Sequence, residues 1–324
     1  MEFREVLIIL KDDLNKLEAS IKENFQSDVL LIPTISNYLS NGGKRIRPIL
    51  LLTSSRLCGY NNGNKHITYS CVVEFIHTAT LLHDDVLDEA EIRRGNPAAN
   101  LRWGNGASVL VGDFLLSRSL TMMAEVKDPR IIFYFSDASR RMVEGEVMEM
   151  INPFNLNITE EEYIGIIKRK TASLISASCR VGAILGKSLS TEEDRLSNFG
   201  TEVGIAFQLV DDVFDYASEE TKIGKEIGKD IRKGKVTLPL IHLYNNASQK
   251  DRKLIEDIVK TGDIQREDFN KIVDLMKRYH SIDYTMDKAR GYIREAKERM
   301  SNFKGSLYLN AIFSVADYIV ERDM

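Results

Sequence analysis

The stretch VEFIHTATLLHDDVLD, residues 73–88, decides how this chain is read. Around it, Val72, Phe75, Ile76, Ala79, Leu82 and Val86 recur at the spacing of one helix face. That predicts an amphipathic helix from about Ile67 to Asp88. Positions four apart on a helix share a face, so Asp84 and Asp88 project together. His77 and Thr80 lie on that face one and two turns earlier. The D-D-x-x-D pattern of Asp84, Asp85 and Asp88 returns at Asp211, Asp212 and Asp215. There Asp211 and Asp215 share a face, and Gln208 stands one turn before them.

Acidic side chains this close repel one another unless a cation relieves them. Carboxylates at this spacing suit Mg²⁺, which keeps some of its waters and bridges one or two carboxylates to substrate phosphates. Two such boxes facing each other would hold several Mg²⁺ around one diphosphate and draw charge from it as it leaves. A single box is a weak signal, better read as a solvated acidic face. Two boxes, each behind an apolar segment (EFIHTATLLH and GIAFQLV), make that reading poor.

Cations answer the acids. Gly42-Gly43-Lys44-Arg45-Ile46-Arg47-Pro48 joins a glycine turn to cations and an apolar helix start, so that Lys44 and Arg47 form either an anion cradle or a surface patch. Arg93 and Arg94 follow the first box in a glycine-containing loop, where guanidinium forks suit diphosphate oxygens. Lys170-Thr171 lies within a predicted helix. The segment 217–235, with Lys222, Lys225, Lys229, Lys233 and Lys235 among glycines, reads as a plain surface loop or as a lid over phosphate.

The rest of the chain is helical in pattern. Asp128 before Pro129 opens a helix over about 129–150. Thr159 with Glu162 is a capping box opening another that runs to about 185. Thr191 opens a third that reaches the low 210s, and no alternating strand pattern is credible. Loops are expected at 57–66, 89–106, 151–158 and 217–235, none of them a domain linker. The 324 residues therefore read as one all-α domain, 1–324.

Composition excludes several classes. A net charge of −4 gives no reason to expect nucleic acid. Cys58, Cys71 and Cys179 form no CxxC pair and fit a reducing cytosol rather than a disulfide framework or thiolate zinc site. The opening MEFREVLIILKDDLNKLE lacks the order of a signal peptide, and no apolar run is expected to reach the roughly 20 residues of a transmembrane helix. A soluble, cytoplasmic protein is the expectation.

Taken together, GGKRIRP (42–48), HDDVLDEAEIRRG (83–95), KT (170–171), FQLVDDVFDY (207–216), GKEIGKD (224–230) and GKVTLPL (234–240) resemble the trans-polyprenyl diphosphate synthase family, with the likeness running from about residue 30 to the C-terminal ERDM. The resemblance implies an all-helical isoprenoid synthase bundle with the active site in a deep central cavity, three Mg²⁺ per active site with substrate bound, and a homodimer. It implies that Asp84, Asp88 and Asp211 bind Mg²⁺, with Asp85, Asp212 and Asp215 assisting directly or through water. Lys44, Arg47, His77 and Arg94 would hold isopentenyl diphosphate; Arg93, Lys170, Lys225 and Lys235 would hold the allylic diphosphate; Thr171 and Gln208 would steady the carbocation. The allylic cation would then be attacked by the isopentenyl double bond, and a proton lost to the departed diphosphate.

The resemblance also places chain-length control one turn deeper than Asp84, at Ala79 and Thr80, whose small side chains leave the tunnel open. The position of Phe135 would close it, with Met122 and Met123 as further wall, or Phe135 is ordinary core. An octaprenyl-type product for quinone side chains is expected, from a farnesyl or similar primer, with geranylgeranyl the shorter alternative. The product is insoluble, so release through transient membrane contact is expected. A class I terpene cyclase would not need GGKRIRP or a His77 site for a second diphosphate, and a non-catalytic partner subunit would not keep both boxes complete.

Overall fold

The computed structural model describes residues 1–40, 43–93, 95–126, 128–217, 228–262 and 264–322. The motif residues Gly42, Arg94, Lys222, Gly224 and Lys225 lie outside them. Helices dominate, and among the described residues the only ladder pairs Ile92–Arg93 with Asn96–Pro97, antiparallel. All-α is therefore the fold class.

The chain divides into two compact units: 1–139 with 174–200 and 299–315, and 140–173 with 201–298 and 316–324. The first unit contains α1 (Phe3–Ile9), α2 (Lys11–Asn24), α3 (Leu31–Ser40), α4 (Ile46–Leu57), α5 (Lys65–Leu87), α6 (Ala99–Trp103), α7 (Asn105–Val126) and the start of α8 (Pro129–Met150). The expected loop at 89–106 thus holds the short ladder and α6, because Gly95 and Gly104, both at positive φ, turn the chain sharply enough for local pairing. Helix α5 packs on α4 and α7, burying Val72, Phe75, Ile76, Ala79 and Leu82. At its start, buried Asp13 of α2 accepts from both Arg56 of α4 and His66 of α5, at 2.8 and 3.1 Å. Those bonds fix the register of three helices.

Helix α7 is long and apolar enough to cross a membrane by length and composition, a test that buried core helices also pass. The expectation of no such run needs that correction: the intervening Asp113 and Arg118 hide it when the sequence is read residue by residue. Val111, Leu115, Met122 and Met123 turn inward here, against the first unit's core.

The second unit holds the remainder of α8, then α9 (Glu160–Ile167). The first unit takes α10 (Ser173–Leu185), and α11 (Ser190–Ala217) runs from the first unit into the second. The second unit continues with α12 (Lys229–Arg232), α13 (Leu238–Asn246), α14 (Gln249–Lys260), α15 (Arg266–Arg278) and α16 (Ser281–Arg299), and it contains the end of α17 (Leu307–Glu321). Asp128 accepts from the Arg130 N–H at the start of α8. The capping box of α9 is complete, with Thr159 and Glu162 each accepting the other's backbone N–H.

One expectation fails in detail. The helix from 160 to 185 is not continuous, because a π turn occupies Lys168–Ala172. Its extra residue leaves no mark in the spacing of apolar side chains, and such turns gather at functional sites.

Candidate active site

Both aspartate boxes lie at the C-terminal ends of long helices, α5 and α11, and neither last turn contains a basic residue. A helix C-terminus carries roughly half a negative charge. Three carboxylates added there are unfavourable without cations from outside the helix.

In the first unit, Asp84 is half-buried, and the half-buried Asp88 is the C-cap of α5, its N–H bonded to the Asp84 carbonyl at 2.7 Å. Asp85 between them is fully buried, and its Oδ1 accepts both Nε (2.9 Å) and Nη2 of Arg93. The antiparallel pair Ile92–Arg93 with Asn96–Pro97 turns the chain back so that Arg93 reaches the box that precedes it. The structure thus brings Arg93 to the first box.

It also brings Arg47 and His77 together, with Nη1 and Nε2 at 3.2 Å. The order of the segment before α4 rests on a residue to which the sequence reading gave no role. Arg45 takes a left-handed conformation (φ 53°). It points inward, where its Nε bonds Glu18 of α2 at 2.8 Å and its Nη1 bonds buried Glu74 of α5. Burial alone would lower the Arg45 pKa, but the two carboxylates outweigh it and hold the value above its ordinary one. Arg45 therefore anchors the segment, and Lys44 beside it is exposed. No local pattern in the sequence separates Arg45 from Lys44 and Arg47; its distant partners Glu18 and Glu74 do. Thr80 donates to the His77 carbonyl at 2.9 Å. Ala79, Phe135 and Tyr69 are fully buried, the two rings 6.2 Å apart.

In the second unit, the π turn presents Lys170 and Thr171 to different partners. Lys170 Nζ bonds Glu146 at 2.7 Å and Glu149 at 2.6 Å, and Lys235 Nζ bonds Glu149 at 3.2 Å. Gly145 permits this close approach, since a Cβ there would stand 2.6 Å from the Lys170 backbone nitrogen. Burial raises the Glu149 carboxyl, but the charges and hydrogen bonds of Lys170 and Lys235 prevail and hold it below its ordinary value. Lys170 is raised by the same carboxylates, against its own burial. Two lysines thus converge on the Glu149 carboxylate.

Thr171 donates to Gln208 Oε1 at 2.8 Å, and Gln208 Nε2 donates to Asp212 Oδ1 at 3.0 Å. The approach depends on Gly204, one turn before Gln208, where a Cβ would meet Ala172 at 2.5 Å. The other oxygen of buried Asp212 accepts from the Tyr163 hydroxyl. Burial pushes the Asp212 carboxyl well up, opposed by those two hydrogen bonds. Asp215 accepts the backbone N–H groups of Lys229 (3.1 Å) and Asp230 (3.0 Å), fastening the start of α12. Gly228, just before it, is at φ 73° and packs on Phe269, where a Cβ would collide at 2.4 Å. Asp211 keeps 40% of its side chain exposed and accepts from Arg322 at 2.6 Å. That guanidinium also lies over the rings of Phe207 and Phe214, so an organic cation stands at this carboxylate.

The donor set fits Mg²⁺ on these observations: half-exposed carboxylates at helix C-termini, one of them already attracting a cation. Among the described residues no three His, Cys, Asp or Glu side chains converge as a metal cage.

Residues 29–276 match the family described as polyprenyl synthetase. The chain is 36% identical over 324 residues to an octaprenyl diphosphate synthase of Escherichia coli K12, covering 100% of both chains. It is similar to a decaprenyl diphosphate synthase structure from Rhodobacter capsulatus, with TM-score 0.93, 37% identity and 99% coverage of each chain. It also resembles a polyprenyl synthase structure from Caulobacter crescentus CB15 complexed with calcium and isoprenyl diphosphate. There the TM-score is 0.95 and the identity 34%, over 99% of this chain and 98% of that one.

Proposed function

This chain belongs to the polyprenyl synthetase family, and we propose that it condenses isopentenyl diphosphate repeatedly onto an allylic primer such as farnesyl diphosphate, giving a long all-trans polyprenyl diphosphate of octaprenyl type. The observation that carries the proposal is the pair of acid boxes at helix C-termini lacking cations, each accompanied by positioned cationic side chains. The likeness to a structure holding calcium and isoprenyl diphosphate supports it. Residues 1–324 are taken as one synthase domain that works in the cytoplasm and hands its product off at a membrane surface.

Asp84, Asp88 and Asp211 would hold Mg²⁺, three ions when substrate is bound, and Asp85, Asp212 and Asp215 would support them through water or through the partners described above. Bound there, Mg²⁺ supplies charge stabilisation to a departing diphosphate. Lys44, Arg47 and His77, with Arg94, hold isopentenyl diphosphate. Arg93, Lys170 and Lys235, with Lys225, hold the allylic diphosphate, so Lys170 and Lys235 exchange Glu149 for phosphate oxygens on binding. Thr171 and Gln208 face the allylic carbon as positive charge develops. No side chain acts as a strong base; the proton leaves to diphosphate.

Ala79 and Thr80 leave the path past the first box open, and Phe135 against Tyr69 is the floor. Leu110 and Leu120 of α7 and Phe133 of α8 are 69%, 56% and 63% exposed, apolar surface that a homodimer would cover. Light scattering at twice the 36.8 kDa chain mass is the check on that dimer.

The test of function uses purified protein, Mg²⁺, labelled isopentenyl diphosphate and farnesyl diphosphate, with chromatography of dephosphorylated products. A ladder ending near octaprenyl is expected. A stop at geranylgeranyl keeps the reaction and moves the floor upward; no incorporation removes the proposal. In the same assay Ala79→Tyr is expected to stop products near farnesyl or geranylgeranyl length, and unchanged products would mean that the path does not pass Ala79.

A further inference from the structure

We infer that Tyr163 is a positioning residue for the condensation: through Asp212 and Gln208 it fixes the direction in which the Thr171 hydroxyl points its hydrogen and its lone pairs. The inference rests on the reading that Thr171 and Gln208 face the allylic carbon.

The geometry is a chain of directed hydrogen bonds. Tyr163, on the first turn of α9, is buried, and its O–H donates to Asp212 Oδ2. The other Asp212 oxygen takes the Gln208 amide N–H at 3.0 Å. An amide group has one donor end and one acceptor end, and only its surroundings decide which faces which way. Placing the Gln208 carbonyl against Asp212 would set oxygen against oxygen, so the NH₂ faces Asp212 and the carbonyl faces Thr171. The Thr171 hydrogen is then committed to Gln208 Oε1 at 2.8 Å. Its lone pairs are left to face whatever lies on the other side, which suits a developing positive charge and not a hydrogen-bond acceptor.

Each link is held by packing. Thr171 lies in the π turn and is buried, and Gly204 lets α11 come close enough for Gln208 to reach it. Without the Tyr163 hydroxyl, one Asp212 oxygen is left buried without its donor, and a carboxylate in that state turns toward another. Turning it releases the Gln208 amide, and with it the Thr171 hydroxyl. Tyr163 touches no reacting atom in this scheme.

The test is Tyr163→Phe in the full chain, which removes one oxygen and keeps the ring. Loss of one hydrogen bond of roughly this kind corresponds to about a tenfold fall in kcat. The KM values for both diphosphates are expected to stay within about twofold, the scale of an unmade binding change. A merely structural role is separated by repeating the substitution in a Thr171→Val background, where the effect is expected to vanish because the hydroxyl being aimed is gone. A full kcat loss in both backgrounds, or no loss in either, overturns the inference and leaves the elongation reading standing. A wild-type protein that makes no product overturns both. Should Tyr163→Phe lose its helical signal, Tyr163→Met, which also removes the hydroxyl and fills the space with a flexible side chain, is judged by the same comparison of backgrounds.

Discussion

Both boxes read Asp-Asp-x-x-Asp at the end of a long helix, yet their inner aspartates keep different company. Asp85 spends one oxygen on both nitrogens of Arg93, and its Oδ2 is buried with no hydrogen-bond partner among the described residues. Asp212 uses both oxygens, on the neutral hydroxyl of Tyr163 and the neutral amide of Gln208. The third aspartates differ too, since Asp88 ends its own helix whereas Asp215 holds the start of another. The repeated motif therefore repeats only its outer carboxylate. In the first box the inner acid steadies a cation, Arg93, whereas in the second it orders two neutral dipoles.

The strongest test of this comparison is where the boxes should agree. Asp84→Ala and Asp211→Ala are each expected to lower turnover about a thousandfold, the scale of about 4 kcal/mol of lost charge stabilisation. Circular dichroism should show the helices intact, because both side chains are partly exposed. Near-normal turnover in either variant would falsify the shared metal role.

Where the boxes should differ, the split is between KM and kcat. Asp85→Asn removes the charge that holds Arg93 while keeping the shape of the side chain. A charge-assisted hydrogen bond is worth about 1.5–3 kcal/mol, so the allylic KM is expected to rise about tenfold or more. Its kcat at saturation should change little. The inner acid of the second box is expected to act on kcat instead, through Thr171. Finding Asp85→Asn defective only in kcat would make the two inner acids alike and end the distinction.

Much of this was legible beforehand, for physical reasons. Carboxylates four apart on a helix and a complete capping box are local patterns, and the structure keeps both within a few turns of where the sequence puts them. What escaped reading depends on distant partners. Tyr163 looks like any core aromatic until it meets Asp212, 49 residues away. Arg45 looks like its neighbours Lys44 and Arg47 until Glu18 and Glu74 draw it inward. Glu146 and Glu149 belong to no motif, and the close approach of the π turn brings Lys170 to them. Arg322 of the C-terminal ERDM carried no expected role and nonetheless reaches Asp211. The roles expected of Arg94 and Lys225 lie on positions outside the described residues.

The smallest expected effect concerns acid sensitivity beside the second box. Lys170 and Lys235 hold the Glu149 carboxyl below its ordinary value against the opposing effect of burial. A carboxyl depressed by folding contributes stability that is fully present above its unfolded value, about 4.3, and is lost as pH falls through the lower folded value. The raised Lys170 stays charged throughout that range and adds no slope of its own. Between about pH 5 and pH 3, wild-type Tm should therefore fall more steeply than that of Glu149→Gln, which has no proton to gain there. Parallel curves would mean that the lysines do not rest on Glu149 in solution. In that case they already point elsewhere before any diphosphate arrives, and the second box would have its cations free at no cost in displaced carboxylate, which would bring it closer in design to the first.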